Sequence, residues 1–178
     1  MVETFKKHYP FALVVLMAWS LLLPAAIAEA PSEEAAVLAW TLRQMGIGAA
    51  VALPPVHRVS KDELATVFVR SNRRAYLRWE NQYGPDRARM ILRGYMDDIL
   101  GLYDTRTGTV YVGRFLDPCR GQAILAHEFT HHIQHTLRGS IIDIGDGSAT
   151  ILYWRREREA ERVEQAYLNA FCGPAPNP

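Results

Sequence analysis

Cysteine is nearly absent. Only Cys119 and Cys172 occur in 178 residues, with no C-x-x-C pair, which excludes a cysteine-based zinc ribbon. An excess of one charge is missing as well: 20 Lys and Arg stand against 19 Asp and Glu, and that balance argues against a basic groove for nucleic acid. Long hydrophobic runs are missing too. The longest, Phe11 to Leu23, is apolar but for Ser20, and as a helix it rises about 20 Å against a hydrocarbon core of roughly 30 Å. No internal repeat or low-complexity block is present. What remains is ordinary globular composition, 49% hydrophobic, enough for one compact core.

The short apolar run has a different use. Lys6 and Lys7 precede it, and Pro24 with "AAIAEA" follows it. That is the charged start, apolar centre and small-residue cleavage site of a secretory signal peptide. Residues 1–28 are therefore expected to be a signal peptide cut after Ala28, and 29–178 a single exported domain, periplasmic or secreted, with no stable membrane span after cleavage. Loss of Lys6, Lys7 and Glu3 leaves basic and acidic residues equal in number. An oxidising compartment favours a Cys119–Cys172 disulfide.

Ser32 with Glu33 and Glu34 opens a helix that Gly46 stops. "AVALPPVHRVS" has two prolines and β-branched residues and reads as an edge strand or extended entry, with His57 a surface or packing histidine. Ser60 and Glu63 form a capping box for a helix over 61–70. Residues 71–96 resist assignment. Their arginines, at 73, 74, 78, 87, 89 and 93, alternate with Tyr76, Trp79 and Tyr83, a pattern that fits a partly solvated face better than a nucleic-acid surface. "DTRTG" then predicts a hairpin of strands 99–103 and 109–113. Asp117 and Pro118 start a helix that Gly139 ends, 139–149 reads as a loop, and a last helix spans about 150–171. The fold class is α+β.

The chemistry concentrates in "AHEFTHHIQH", residues 126–135. His127 and His131 are one helical turn apart, so both imidazoles can reach one zinc ion, while Glu128 is rotated away and suits a general base. His135 lies on the same face but roughly 12 Å from His127 along an unbroken helix, too far for a tetrahedral ion. His132 points elsewhere. A third ligand has to come from another element, and "EREAE" in the last helix offers Glu157, Glu159 and Glu161.

At this point the sequence resembles the zincin metallopeptidases of the gluzincin kind, in which H-E-x-x-H is followed by a glutamate ligand in a pattern like E-x-E-A-D. The resemblance covers about residues 99–171. It implies a zincin-like fold, one zinc ion held by His127, His131 and Glu157 with water in the fourth position, Glu128 as general base, and a peptide or protein substrate. Glu161 stands where the family often has an aspartate that orients a ligand histidine. It also implies an edge strand ahead of the motif helix to pair with substrate, for which "TVYVG" is the segment in this chain. Small exported bacterial proteins of unassigned activity share the same order of hairpin, H-E-x-x-H and E-x-E-A.

Glu159 is the rival ligand, two residues from Glu157 and so on another side of the helix. Two further readings stay open: a non-catalytic envelope protein stapled by zinc, and a metal-free interaction module whose Glu/Arg helix is a solvated face. Tyr153 is a weaker choice for stabilising a developing oxyanion.

Overall fold

The structure, a computed structural model, describes residues 31–139 and 148–173. The expected signal peptide, most of the expected 139–149 loop and the tail after Gly173 lie outside the described residues.

Helix α1, Glu33–Gln44, is capped by the Ser32 side chain, which accepts from Ala35 N–H at 3.2 Å. Strand β1 is Val56–Val59, and α2, Lys61–Ser71, starts with the expected capping box, Ser60 and Glu63 each accepting from the other's backbone N–H. The unassigned stretch forms two helices, α3, Arg73–Tyr83, and α4, Pro85–Asp98, hinged at Gly84. They pack against each other rather than into the main core, and α3 buries no residue completely. Both helices are amphipathic, but they are rich in charged residues and bury little, so the stretch carries a helical period without the apolar content that marks a core helix.

Strands β2, Gly101–Asp104, and β3, Thr109–Gly113, make the expected hairpin. Asp104 shapes its turn: its carbonyl accepts from Thr107 and Gly108 N–H, and its side chain accepts from Arg106 N–H at 3.1 Å. Gly108 sits at φ +67, where a side chain would be strained.

The sheet order is β1-β3-β2, with β1 parallel and β2 antiparallel to β3. This corrects one expectation. "TVYVG" is the central strand, because Val56–Val59 pairs along its other side, and the edge strand facing the candidate site is β2, "GLYD". Proline-containing chain ahead of β1 had already marked that strand as an edge, and β1 and β2 together cover β3 on both sides.

Helix α5, Pro118–Arg138, begins on Asp117, whose carboxylate accepts from Arg120 N–H at 2.9 Å, and ends at Gly139. It lies across the sheet and buries Ala123, Leu125, Ala126, Phe129 and Ile133 in one core with Val110 and Val112 of β3. Burying a side chain such as Phe129 contributes roughly 1.5–3 kcal/mol. Helix α6, Ser148–Tyr167, packs along α5 through Ala160, Val163 and Tyr167. A π-helical turn, Leu168–Cys172, follows it. Trp40 of α1 closes the far side with edge-on contacts to Tyr167 and Phe171.

Cys119, at the start of α5, and Cys172, after α6, are at disulfide distance, with Cα atoms 5.8 Å apart. The described residues form a mixed α+β unit of six α-helices, a π-helical turn and a three-stranded sheet. Among the described residues no helix is long and apolar enough to cross a membrane.

Candidate metal centre

Three side chains converge where α5 meets α6. His127 and His131 are one turn apart on α5, and Glu157 faces them from α6; their ligand atoms all lie within 4.8 Å of one another. The two Nε2 atoms are 3.2 Å apart, against about 3.3 Å for two nitrogens bound tetrahedrally at 2.0–2.1 Å. Glu157 Oε1 is 3.5 Å from His131 Nε2 and its Oε2 is 3.8 Å from His127 Nε2. This group can hold a metal ion.

The opposite ring nitrogens decide which tautomer is present. His127 Nδ1 donates to Glu164 Oε2 at 3.0 Å, and His131 Nδ1 donates to the Gln134 side-chain oxygen at 3.1 Å. In the neutral rings, the form that binds a metal, both acceptors keep the proton on Nδ1 and leave the Nε2 lone pairs turned toward the shared point. Gln134 is fully buried and spends its amide N–H groups on Arg156 C=O and Glu159. Its orientation is therefore tied to α6.

Position around α6 sorts its acids. Ala160 is completely buried against α5. Glu157 and Glu164, three residues before and four after it, lie within about 60° of it around the helix. Glu161, one residue on, lies about 100° round and is exposed. The orienting role that the resemblance implies for Glu161 is thus corrected: Glu164, not Glu161, accepts from His127. Glu159 falls on the opposite border, where its carboxylate accepts from Arg138 at 2.7 Å and from Gln134 at 3.0 Å. That engagement removes it as a rival ligand. His135 lies away from the three converging groups and meets the Tyr103 hydroxyl at 3.3 Å, as does His132 Nδ1.

Electrostatics follow from this packing. Burial alone would make His127 harder to protonate, but Glu157 and Glu164 outweigh it and push its pKa up to about 10. His131 is opposed by burial in the same way and raised by Glu157 and Glu128. Burial opposes the Glu157 carboxylate, yet the two histidines hold its pKa well below the ordinary range. The ionised Glu157 carboxylate faces two imidazoles, an arrangement that stabilises a cation at their meeting point.

Glu128 is buried beside them, and burial pushes its pKa up, in spite of the histidines and a hydrogen bond from the Tyr103 backbone. Edge strand β2 passes directly over it. A Cβ on Gly101 would come within 2.8 Å of Glu128 Oε1 and 2.7 Å of Ile124 Cγ2, so only glycine lets the strand lie this close.

Comparison with protein-family models, with curated proteins and with solved structures finds no match. The site therefore has to be read from its own geometry.

That geometry includes a cleft of about 750 Å³ along β2, lined by His127, His131, Glu128 and Glu157 together with the apolar Phe68, Ile99 and Leu102. Tyr153, one turn before Glu157, lines its mouth and is half exposed; burial and the neighbouring Glu157, with which it shares a hydrogen bond, push its pKa up to about 12. Sequence reasoning missed Glu164, Gln134, Gly101 and Tyr103. Spacing held a signal for the first two: Glu164 repeats the Glu157 face seven residues on, and Gln134 follows His131 by three.

Proposed function

We propose that this protein is an exported zinc metallopeptidase of zincin-like architecture, with His127, His131 and Glu157 as metal ligands and Glu128 as general base. The carrying observation is the combination of three converging ligand atoms with a buried carboxylate beside them, all lining one cleft along β2, an edge strand among the described residues. Two imidazoles and one carboxylate match the donor set of catalytic zinc sites, which keep a further position open.

A zinc ion held there would supply Lewis acidity, polarising the scissile carbonyl and making water more acidic. The chain's own residues do the rest. β2, an edge strand among the described residues, offers the main-chain groups that Glu128 leaves open to an extended peptide, with little demand on side-chain identity. Glu128 takes a proton from the attacking water as oxygen bonds to the carbonyl carbon. It then delivers that proton to the departing nitrogen as the C–N bond breaks, leaving a carboxylate and an amine. A carboxyl whose pKa burial raises is a stronger base once ionised than an exposed glutamate, which suits both steps.

The test is hydrolysis of a fluorogenic peptide library by the zinc-loaded chain, beside Glu128→Gln. The expected result is cleavage by wild type and a loss of roughly 10²–10⁴-fold in the variant, with zinc content unchanged. Zinc bound by both and no cleavage by either would instead select the structural reading, a zinc-stapled fold.

A further inference from the structure

"AHEFTHHIQH" contains two histidines that hold no ligand position, and the structure gives them a common partner. Tyr103 is buried, and its hydroxyl is 3.3 Å from His132 Nδ1 and 3.3 Å from His135 Nδ1. His132 Nε2 lies 2.9 Å from Ala52 C=O. A carbonyl only accepts, so His132 donates through Nε2, and in the neutral ring its Nδ1 accepts the Tyr103 O–H. The Tyr103 oxygen is then left to accept from His135 Nδ1–H. Both rings also pack edge-on against the tyrosine, with centroids 5.5 and 5.8 Å away.

Tyr103 belongs to β2, and the two histidines belong to α5. Their contact fastens the edge strand to the motif helix about one turn beyond His131. The same strand also holds the acid: a Cβ on Gly101 would come within 2.8 Å of Glu128 Oε1, and the Tyr103 backbone N–H faces the Glu128 carboxylate as a donor. A single residue thus connects the strand's anchor to the acid beneath it.

We propose that His132 and His135 are positioning residues: by gripping the Tyr103 hydroxyl they clamp β2 onto α5, and the clamped strand fixes the Glu128 carboxylate through the Tyr103 N–H. Two of the four histidines hold the metal, and the other two hold the strand that holds the base. The catalytic consequence rests on the peptidase reading above; the clamp itself does not.

The experiment uses the zinc-loaded full chain and compares Tyr103→Phe, His135→Leu and His135→Asn. Phenylalanine keeps the ring and the backbone N–H but loses the hydroxyl. Asparagine offers an N–H near the position of His135 Nδ1, and leucine offers none. Two readouts are taken: kcat and KM on the fluorogenic peptide library, and hydrogen exchange at the Tyr103 amide.

For Tyr103→Phe and His135→Leu the expected result is zinc content unchanged, kcat down roughly 10-fold, within the roughly 100-fold cost of a 1 Å misplacement, and KM little changed. Exchange at Tyr103 should accelerate about 10-fold while Val110 and Val112 of β3 stay protected, and His135→Asn should restore both readouts. A structural role alone would lower stability and loosen β3 as well, without splitting kcat from KM. Unchanged exchange at Tyr103 in both Tyr103→Phe and His135→Leu overturns the clamp. Faster exchange with unchanged kcat overturns the link to Glu128. A wild type that binds zinc but cleaves nothing refutes the peptidase reading alone, and the exchange data still decide the clamp.

Discussion

Replacing Glu164 by alanine should weaken metal binding without touching a ligand. Glu164 accepts from His127 Nδ1 at 3.0 Å, and its side chain is only 16% exposed. A hydrogen bond to a charged group in such a place contributes about 1.5–3 kcal/mol. Part of that is shared with Arg120, whose guanidinium lies 3.4 Å from the other carboxylate oxygen. Loss of a partner of this kind typically costs 10–100-fold in metal affinity, equivalent to about 1.4–2.7 kcal/mol. Competition for zinc against a chromophoric chelator measures it directly. The companion variant is Glu161→Ala, which removes an exposed acid at the position the gluzincin pattern would favour. The expected result is a dissociation constant raised 10–100-fold for Glu164→Ala and within about 3-fold of wild type for Glu161→Ala. Equal effects of the two, or no effect of Glu164→Ala, would refute the assignment of His127's partner.

Three other outcomes follow from the same contacts. Gly101→Ala should retain zinc but lose peptidase activity by roughly 100-fold, because the new Cβ displaces the Glu128 carboxylate; a variant with wild-type kcat would show that the strand does not constrain the base. Glu159 has a folded-state pKa below its ordinary value, since Arg138 and Gln134 outweigh the opposing effect of burial. Its stabilisation is therefore full above the unfolded pKa of about 4.3 and is lost as pH falls through the lower folded value. Urea unfolding of wild type and Glu159→Gln should differ at pH 7 and converge in acid; a constant difference would contradict this. Reduction of the Cys119–Cys172 bond, which spans 53 residues, should lower stability by at most about 4 kcal/mol, read as a fall in thermal midpoint that a Cys119→Ser/Cys172→Ser variant does not show.

Local chemistry was legible in the sequence wherever a few neighbouring residues determine it. Ser60 with Glu63, Asp104 to Gly108, and Asp117 to Gly139 each specify a cap or turn by short-range hydrogen bonds, and each element appears where expected. The spacing of His127 and His131 is equally local. The pairing of β1 with β3 was not legible, because it joins residues more than fifty apart and carries no turn signal. That is why "TVYVG" reads as an edge when it is central. α3 and α4 were hidden for a different reason: their helical period is carried mostly by charged residues on a face that buries little, so it reads as solvated surface rather than as a core helix. Glu161 misled because a short motif fixes spacing along a helix but not which face packs; the buried Ala160 decides that, and it selects Glu164.

The most direct test of the metal centre is zinc content per chain in purified protein, wild type beside Glu157→Ala and Glu159→Ala. About one zinc in wild type and Glu159→Ala, with loss in Glu157→Ala, is the expected result. No zinc in any of them when the ion is supplied during folding, or loss with Glu159→Ala alone, would contradict a site built from His127, His131 and Glu157.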